Sequence, residues 1–271
     1  MFLNNNIKLL MLDQIEEFDI NDDQMPDISH HIQDIKIEDL LGREPIINNN
    51  PLIEQNMHGA VVMVTGAGGS IGSEIVRQLC RFGASKLVLV DQAETPMHDL
   101  QLEITHDYPH QDIELCIADV ANSTRMEQIF ASLRPRYVYH AAAYKHVPMM
   151  ECNPTEAITT NVFGTKNLAD LAVKYGVDRF VMISTDKAVN PTNIMGASKR
   201  IAEIYTQSLA NKLRHESTDT YTRFITTRFG NVLGSNGSVI PLFRKQIAEG
   251  GPVTVTHLSL IHISEPTRRS Y

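Results

Sequence analysis

Apolar residues in this chain recur in short runs separated by stretches of helical period. Ala60–Thr65 (AVVMVT), Leu87–Val90 (LVLV), Ile113–Ile117, Tyr137–His140, Arg179–Ile183 and Thr222–Thr227 have strand length. Ser73–Phe82, Asn153–Tyr175 and Gly196–Arg214 instead space their apolar positions as a helix does. Strands that alternate with helices predict an α/β fold, a doubly wound parallel sheet over residues 59–257. Residues 1–58 follow another pattern, rich in Asn, Asp, Gln and Ile, with Asn triplets at Asn4–Asn6 and Asn48–Asn50. They read as a leader or the remnant of a preceding domain, joined by a linker around Pro45–Met57.

The junction between the first strand and its helix carries the first chemistry. Gly66, Gly69 and Gly72 stand at the spacing of a phosphate-binding turn, with Ser70 and Ile71 between them as further cofactor-binding candidates. The first glycine allows a tight turn, the second lets backbone approach a pyrophosphate, and the third allows close helix–strand packing. Free N–H groups and the helix dipole then favour the anion. Asp91 follows the second strand at the distance expected of a carboxylate that binds the adenosine ribose and repels a 2′-phosphate. Gln92, Ala93 and Glu94 come next, not Arg, which favours NAD over NADP. Asp119 and Val120 read as a wall for the adenine ring. Small Ala141, Ala142 and Ala143 let backbone lie against the cofactor, and Tyr144, Lys145 and His146 follow near the pyrophosphate or substrate. This is a Rossmann-type reading.

Composition narrows the classes. The chain has 271 residues and 42% hydrophobic content, enough to bury a full core. A net charge of −8 and the lack of a basic stripe argue against nucleic acid as a partner. The 3 cysteines are isolated and the 11 histidines scattered, so neither a disulfide framework nor a metal site is expected, and a reducing, cytoplasmic setting is. No apolar run reaches the ~18 residues of a membrane span. Met1–Leu12 lacks the basic start and cleavage site of a signal peptide.

The segment Ile183–Arg200, ISTDKAVNPTNIMGASKR, is the richest in reactive groups. Enzymes that move a hydride between a sugar and a nicotinamide usually place Tyr-x-x-x-Lys here, where the spacing puts both side chains on one helix face. The Lys then lowers the pKa of the proton-accepting phenol. In this chain Met195 stands in the Tyr position ahead of Lys199, and a thioether carries no proton. Either dehydrogenase chemistry has been lost, or acid–base work has moved to Thr185, Asp186 and Lys187. We favour the second.

TGAGGSIGSE, AAAYKHVPMME, STDKAVNPTNIMGASKR and TRFGNVLGSNGSVIPLF together resemble the long-form nucleotide-sugar 4,6-dehydratases of bacterial polysaccharide biosynthesis. These are extended short-chain dehydrogenase/reductases that act on UDP-N-acetylglucosamine. The resemblance covers roughly Ile35 to Thr256. It implies NAD-dependent oxidation at C4 of the sugar, loss of the C6 hydroxyl as water and return of the hydride to C6. It makes Lys187 the C5 base, Asp186 the acid for the departing hydroxyl and Thr185 the partner of the C4 oxygen. Lys199 would bind the nicotinamide ribose and add positive charge, and Asn231 would contact the sugar diphosphate, with Lys145 and His146 also toward substrate. Which group takes the C4 proton stays open. A UDP-sugar 4-epimerase and a catalytically silent NAD-binding module are the alternatives; Met195 counts against the epimerase, which needs a Tyr shuttle. A homo-oligomer is a further expected partner.

The two ends carry expectations of their own. IKIEDLLGREPI (Ile35–Ile46) resembles the segment which that family places before its catalytic domain, after membrane helices. That implies a larger parent anchored at the cytoplasmic face of the inner membrane, with no membrane contact by this chain. Leu258–Arg268 (LSLIHISEPTR) matches, residue for residue, the translation of a transposase adapter used in sequencing libraries. Residues 258–271 are therefore expected to be a non-native tail on a truncated chain. The domain that closes over the sugar would then be missing, leaving this chain able to bind NAD without turnover.

Overall fold

The computed structural model describes Leu10–Leu12, Ile32–Asp34, residues 51–216 and 221–230, and residues 232, 243, 245–247, 249–250 and 252. The chain divides into two units, one of which is Asn49–Asn236. In the other, β1 (Leu10–Leu12) pairs with β2 (Ile32–Asp34) antiparallel, Met11 opposite Gln33.

The Asn49–Asn236 unit is built on six strands: β3 (Val61–Thr65), β4 (Lys86–Asp91), β5 (Asp112–Ile117), β6 (Tyr137–His140), β7 (Arg179–Thr185) and β8 (Arg223–Phe229). They run in the order β5-β4-β3-β6-β7-β8, and every neighbouring pair is parallel. The order reverses at β3–β6, so loops leaving β3 and β6 diverge to opposite sides and open a crevice there. The central strands read as continuous apolar runs because helices cover both faces: Val62, Met63 and Val64 are fully buried, as are Leu87, Val88, Leu89 and Val90. Side chains alternate in direction along a strand, so these runs feed two cores. Met63, Val88, Val90, Phe130, Val138 and Phe180 pack on one face; Val62, Val64, Leu87, Leu89, Leu79 and Leu100 pack on the other.

The covering helices are α2 (Ser70–Arg81), α3 (Glu94–Asp107), α4 (Ser123–Leu133), α7 (Thr165–Lys174) and α8 (Ile194–Glu216). Each expected strand is present, Tyr137–His140 with unchanged bounds, and the doubly wound parallel sheet stands. Three details differ. The segment expected as a linker ends in α1 (Pro51–Met57), whose Met57 is buried in the second core with Ile53 packed beside it. The unit accordingly begins at Asn49, ahead of residue 59. Helix α2 starts at Ser70, before its apolar period becomes visible, because Gly69 already serves as its N-cap. The single helix expected over Asn153–Tyr175 is instead α6 (Pro154–Ala157), a π-helical stretch Ile158–Gly164 and α7, preceded by a separate α5 (Val147–Cys152). Asn153, non-helical at φ −132° and ψ 61°, separates α5 from Pro154, which takes the first turn of α6 where its missing N–H costs nothing. Asn231 and residues 258–271 lie outside the described residues. Among those described, no helix is long and apolar enough to cross a membrane.

Candidate active site

The turn after β3 is shaped by backbone. Gly66 has φ +71°, and a Cβ added to it would lie 2.5 Å from the Ala142 amide nitrogen. The exit of β6 thus lies directly on the turn, held by the Ala141 N–H donating to the Thr65 carbonyl at 2.9 Å. A Cβ on Gly72 would come 2.0 Å from the Gly66 carbonyl oxygen, so the first turn of α2 abuts the loop. Gly69 caps α2 with no side-chain bond, which leaves the helix start for an anion to complete. Ser70 and Ile71, partly buried, form that first turn. Asp91 closes the turn from β4: its Oδ2 accepts the Gly68 N–H and its Oδ1 the Ala93 N–H, both at 3.0 Å. Each oxygen keeps a second lone pair for a hydroxyl.

Asp119 and Val120, two expected cofactor contacts, have different surroundings. Asp119 is exposed and bonds the Ala121 N–H at 2.9 Å in a turn before α4. Val120 is buried, and a Cβ on Gly164 would lie 2.7 Å from its Cγ2. Its side chain belongs to the core, so Val120 can offer a ligand its backbone only. Past β6, Tyr144 is clamped by Asn161, whose Oδ1 accepts the Tyr144 N–H at 2.9 Å and whose Nδ2 donates to the Tyr144 carbonyl at 3.1 Å. Lys145 and His146 follow, exposed at the start of α5.

The segment after β7 is built from side chains. Thr185 Oγ1 donates to Asp186 Oδ1 at 2.9 Å and accepts the Lys187 N–H at 3.3 Å. Lys187 Nζ reaches the same carboxylate oxygen at 3.3 Å, with the Asp186 side chain 58% and Lys187 37% exposed. Partial burial works to raise the Asp186 carboxyl, but the bonds from Thr185 and Lys187 outweigh it and hold the group below its ordinary range. The segment is pinned from below. A Cβ on Gly196 would sit 2.4 Å from the Lys187 carbonyl oxygen, and Asn193 Oδ1 caps the Gly196 N–H at 2.8 Å. Gly230, after β8, lies over Asp186 Oδ2, where an added Cβ would approach to 3.8 Å.

On α8, Met195 is buried with Met150 and Ala157, with Tyr144, Val147 and Ile194 packed against them. Tyr144 is the phenol packed in this cluster, and its hydroxyl accepts from Gln92 Nε2 at 3.3 Å. Lys199 is 4% exposed and forms no hydrogen bond or ion pair with a described residue. Burial lowers it to about 8, against the pull of Glu203. A largely buried amine that bonds no described residue is costly unless a ligand supplies a partner.

Two buried networks were not read from the sequence. In the first, Thr165 Oγ1 donates to the Asn161 carbonyl at 2.7 Å, so its oxygen must accept from His140 Nε2 at 2.9 Å. His140 Nδ1 then accepts from Thr65 Oγ1 at 2.8 Å. The bonding assigns one neutral tautomer, and burial, with Lys199 nearby, pushes this imidazole down to about 3. In the second, Ser184 Oγ donates to Glu203 Oε1 at 2.7 Å, while Arg228 and Arg200 bond the same carboxylate. A histidine closing an apolar strand and a carboxylate four residues after Lys199 were the visible signals.

The model of the family described as polysaccharide biosynthesis protein matches residues 62–263. The capsular polysaccharide biosynthesis protein CapD of Staphylococcus aureus is 49% identical over 229 residues, 84% of this chain and 37% of that protein. An inverting UDP-N-acetylglucosamine 4,6-dehydratase of Campylobacter jejuni is 34% identical, covering 76% of this chain and 60% of the relative. A UDP-glucose 4-epimerase of Rickettsia rickettsii matches at the same 34%, over 73% of this chain and 57% of its own length. Among solved structures, Pen from Bacillus thuringiensis superposes with a TM-score of 0.66 at 34% identity, covering 75% of this chain and 60% of that one. The chain thus spans between 37% and 60% of the length of these relatives, under two thirds in each case.

Proposed function

Because the chain belongs to the polysaccharide biosynthesis protein family, we propose that it carries the NAD-dependent core of a nucleotide-sugar 4,6-dehydratase acting on UDP-N-acetylglucosamine for a surface polysaccharide or glycan. One observation carries the choice of reaction. A hydroxyl, a carboxyl and an amine, from Thr185, Asp186 and Lys187, are joined at one strand end beside a helix face that offers Met195 in place of a phenol. Elimination of water needs an acid and a base together, whereas epimerisation needs one proton shuttle and no elimination acid.

The residues fit a dinucleotide, since Gly66 and Gly72 make a turn too tight for a Cβ, built from backbone alone, and the α2 N-terminus has no side-chain cap. Gly66, Gly69, Ser70, Ile71 and Gly72 would hold the pyrophosphate, Asp91 the adenosine ribose, Asp119 and the Val120 backbone the adenine. Ala141, Ala142 and Ala143 would line the crevice, and Lys199 would find its missing partner in the nicotinamide ribose. When bound, NAD supplies the acceptor for the C4 hydride and returns that hydride to C6.

Lys187 takes the C5 proton and Asp186 protonates the departing C6 hydroxyl, while Thr185 bonds the C4 oxygen. Those roles need a neutral amine and a protonated carboxyl, the reverse of the ion pair now present. One proton moved from Lys187 Nζ to Asp186 Oδ1, along their 3.3 Å contact, makes the working pair. Solvent opposes that move while both groups are partly exposed. Excluding water favours the neutral arrangement of the two groups over the ion pair, so substrate closure arms them. Lys145, His146 and Asn231 are proposed substrate contacts. The free cysteines Cys80 and Cys116, both buried, are compatible with a reducing cytoplasmic setting.

Incubating the longest available form of the gene product with NAD and UDP-N-acetylglucosamine tests this by NMR of the sugar. A 4-keto-6-deoxy product supports the proposal. A 4-epimer would replace it with the epimerase reading, and unchanged substrate would reject both.

A further inference from the structure

Glu203 is fully buried, yet four donors from three elements converge on its carboxylate. Arg228, at the end of β8, grips it with a fork: Nε to Oε1 at 2.8 Å and a terminal nitrogen to Oε2 at 2.6 Å. Ser184, the residue before Thr185, donates to Oε1 at 2.7 Å, and Arg200, on the same helix, reaches Oε2 at 3.0 Å. These contacts bind the ends of β7 and β8 to the helix that carries Lys199. Two residues beyond Arg228, Gly230 lies over Asp186. Two residues beyond Ser184 is Asp186 itself.

Glu203 also stands one helical turn from Lys199, where residues four apart face each other. A lone carboxylate there would pair with the amine, yet no ion pair between them forms. The guanidiniums claim it instead. We propose that Glu203 and Arg228 are positioning residues: their buried pair, completed by Ser184 and Arg200, ties the root of Thr185–Lys187 to α8 and keeps the Glu203 charge from neutralising Lys199. This rests on the reading of Lys199 as a site residue.

Electrostatics agree. Burial works to raise Glu203, but Arg228, Ser184 and Arg200 bring it down to about 2, so it stays ionised wherever the protein folds. Lys199 nevertheless ends low, with burial outweighing the Glu203 attraction. The groups acting on Lys199 are Glu203 on its own helix, His140 from β6, and Arg228 from β8 and Arg200 from α8 through Glu203. His140 is neutral and leaves the balance to the others.

The test reads the amine directly. Protein labelled with 13C-lysine is titrated by NMR at the Lys199 Cε, assigned by its loss in Lys199→Arg. Arg228→Gln uncovers the Glu203 charge and should raise the Lys199 midpoint by about one pH unit. Glu203→Gln removes the attraction and leaves two guanidiniums behind, so it should lower the midpoint by a similar amount. Arg228→Lys, which keeps charge but loses the fork, should give a smaller rise and guards against misfolding of the glutamine variant. Shifts of opposite sign support the proposal. Unmoved midpoints, or shifts of one sign in variants that merely lose stability, would overturn it. No turnover is needed, so a protein that shows the opposed shifts but fails to dehydrate UDP-N-acetylglucosamine would sink the functional reading alone.

Discussion

The turn after β3 and the segment after β7 leave the same edge of one sheet, yet they are made of different material. The first is backbone against backbone: Gly66 lies on Ala142 and Gly72 on Gly66, with no room for a methyl group. The second is a set of side chains, Thr185, Asp186 and Lys187, joined by bonds near 3 Å and open to water. A backbone cradle suits a group bound the same way in every cycle, because its donors need no reorganisation. Side chains that share a proton suit chemistry, because their state changes when water leaves. Stability should concentrate in the first region and reactivity in the second.

The sharpest way to break this contrast is a methyl group in the cradle. Gly72→Ala sets a Cβ 2.0 Å from a carbonyl oxygen that cannot move without opening the turn. We expect a loss of about 3 kcal/mol or more in urea unfolding, together with loss of dinucleotide binding. Gly83→Ala is the control. Gly83 has φ +69° but nothing within 4 Å of an added Cβ, so only conformational strain of about 1 kcal/mol should appear. Equal costs would mean that the close approach is not what holds the turn.

The opposite behaviour is expected after β7. Lys187→Ala should reduce dehydration by roughly 10²–10⁴-fold, the usual worth of a general base. Its exposed pairing with Asp186 is worth at most ~1 kcal/mol, so unfolding should barely change. Quenched product assays and urea melts on one preparation check both halves. Near-normal turnover would remove Lys187 from the chemistry.

That division also explains what the sequence made legible. Glycine spacing is a local property, so the turn, Asp91 and the six strands can be read from neighbours along the chain. Thr185, Asp186 and Lys187 are adjacent and were visible for the same reason. Arg228 and Glu203 are brought together by β8 entering the sheet beside β7, and His140 meets Thr65 and Thr165 only once β6 pairs with β3. No local pattern encodes such pairs. Val120 shows the same limit, since only the fold reveals that Gly164 opens a place for its side chain in the core. Helix α1 was hidden by polar company: only Met57 is buried, with Ile53 beside it.

Lys199 combines the two regions, being a reactive group in a buried place, and sharpens the contrast through pH. Its folded value of about 8 lies below the ordinary 10.5. Between those values the unfolded chain binds more protons, so stability from this group rises with pH across that window; below pH 8 the penalty is present in full. Lys199→Met should therefore stabilise the protein at pH 7, by about 1–3 kcal/mol, while abolishing turnover. The gain should shrink as pH climbs from 8 toward 10.5, measured by melting with and without the substitution. A variant less stable than the parent at pH 7 would show that the buried amine has found a partner.

The smallest effect probes the edge of the cradle. Asp91 has both oxygens on backbone amides, from Gly68 and Ala93, so it cannot swing away from a ligand without breaking the turn. A ribose 2′-hydroxyl can donate to its remaining lone pairs, whereas a 2′-phosphate would meet a fixed negative charge with no Arg at the next three positions to offset it. NAD should then bind at least ~10-fold tighter than NADP, about 1.4 kcal/mol of difference. Asp91→Asn keeps an acceptor for Gly68 but loses the charge, and should narrow the ratio chiefly by improving NADP. Titration calorimetry with both nucleotides reads this directly. Equal affinities in the parent would mean that backbone complementarity alone selects the ligand, and that the carboxylate serves only to hold the turn.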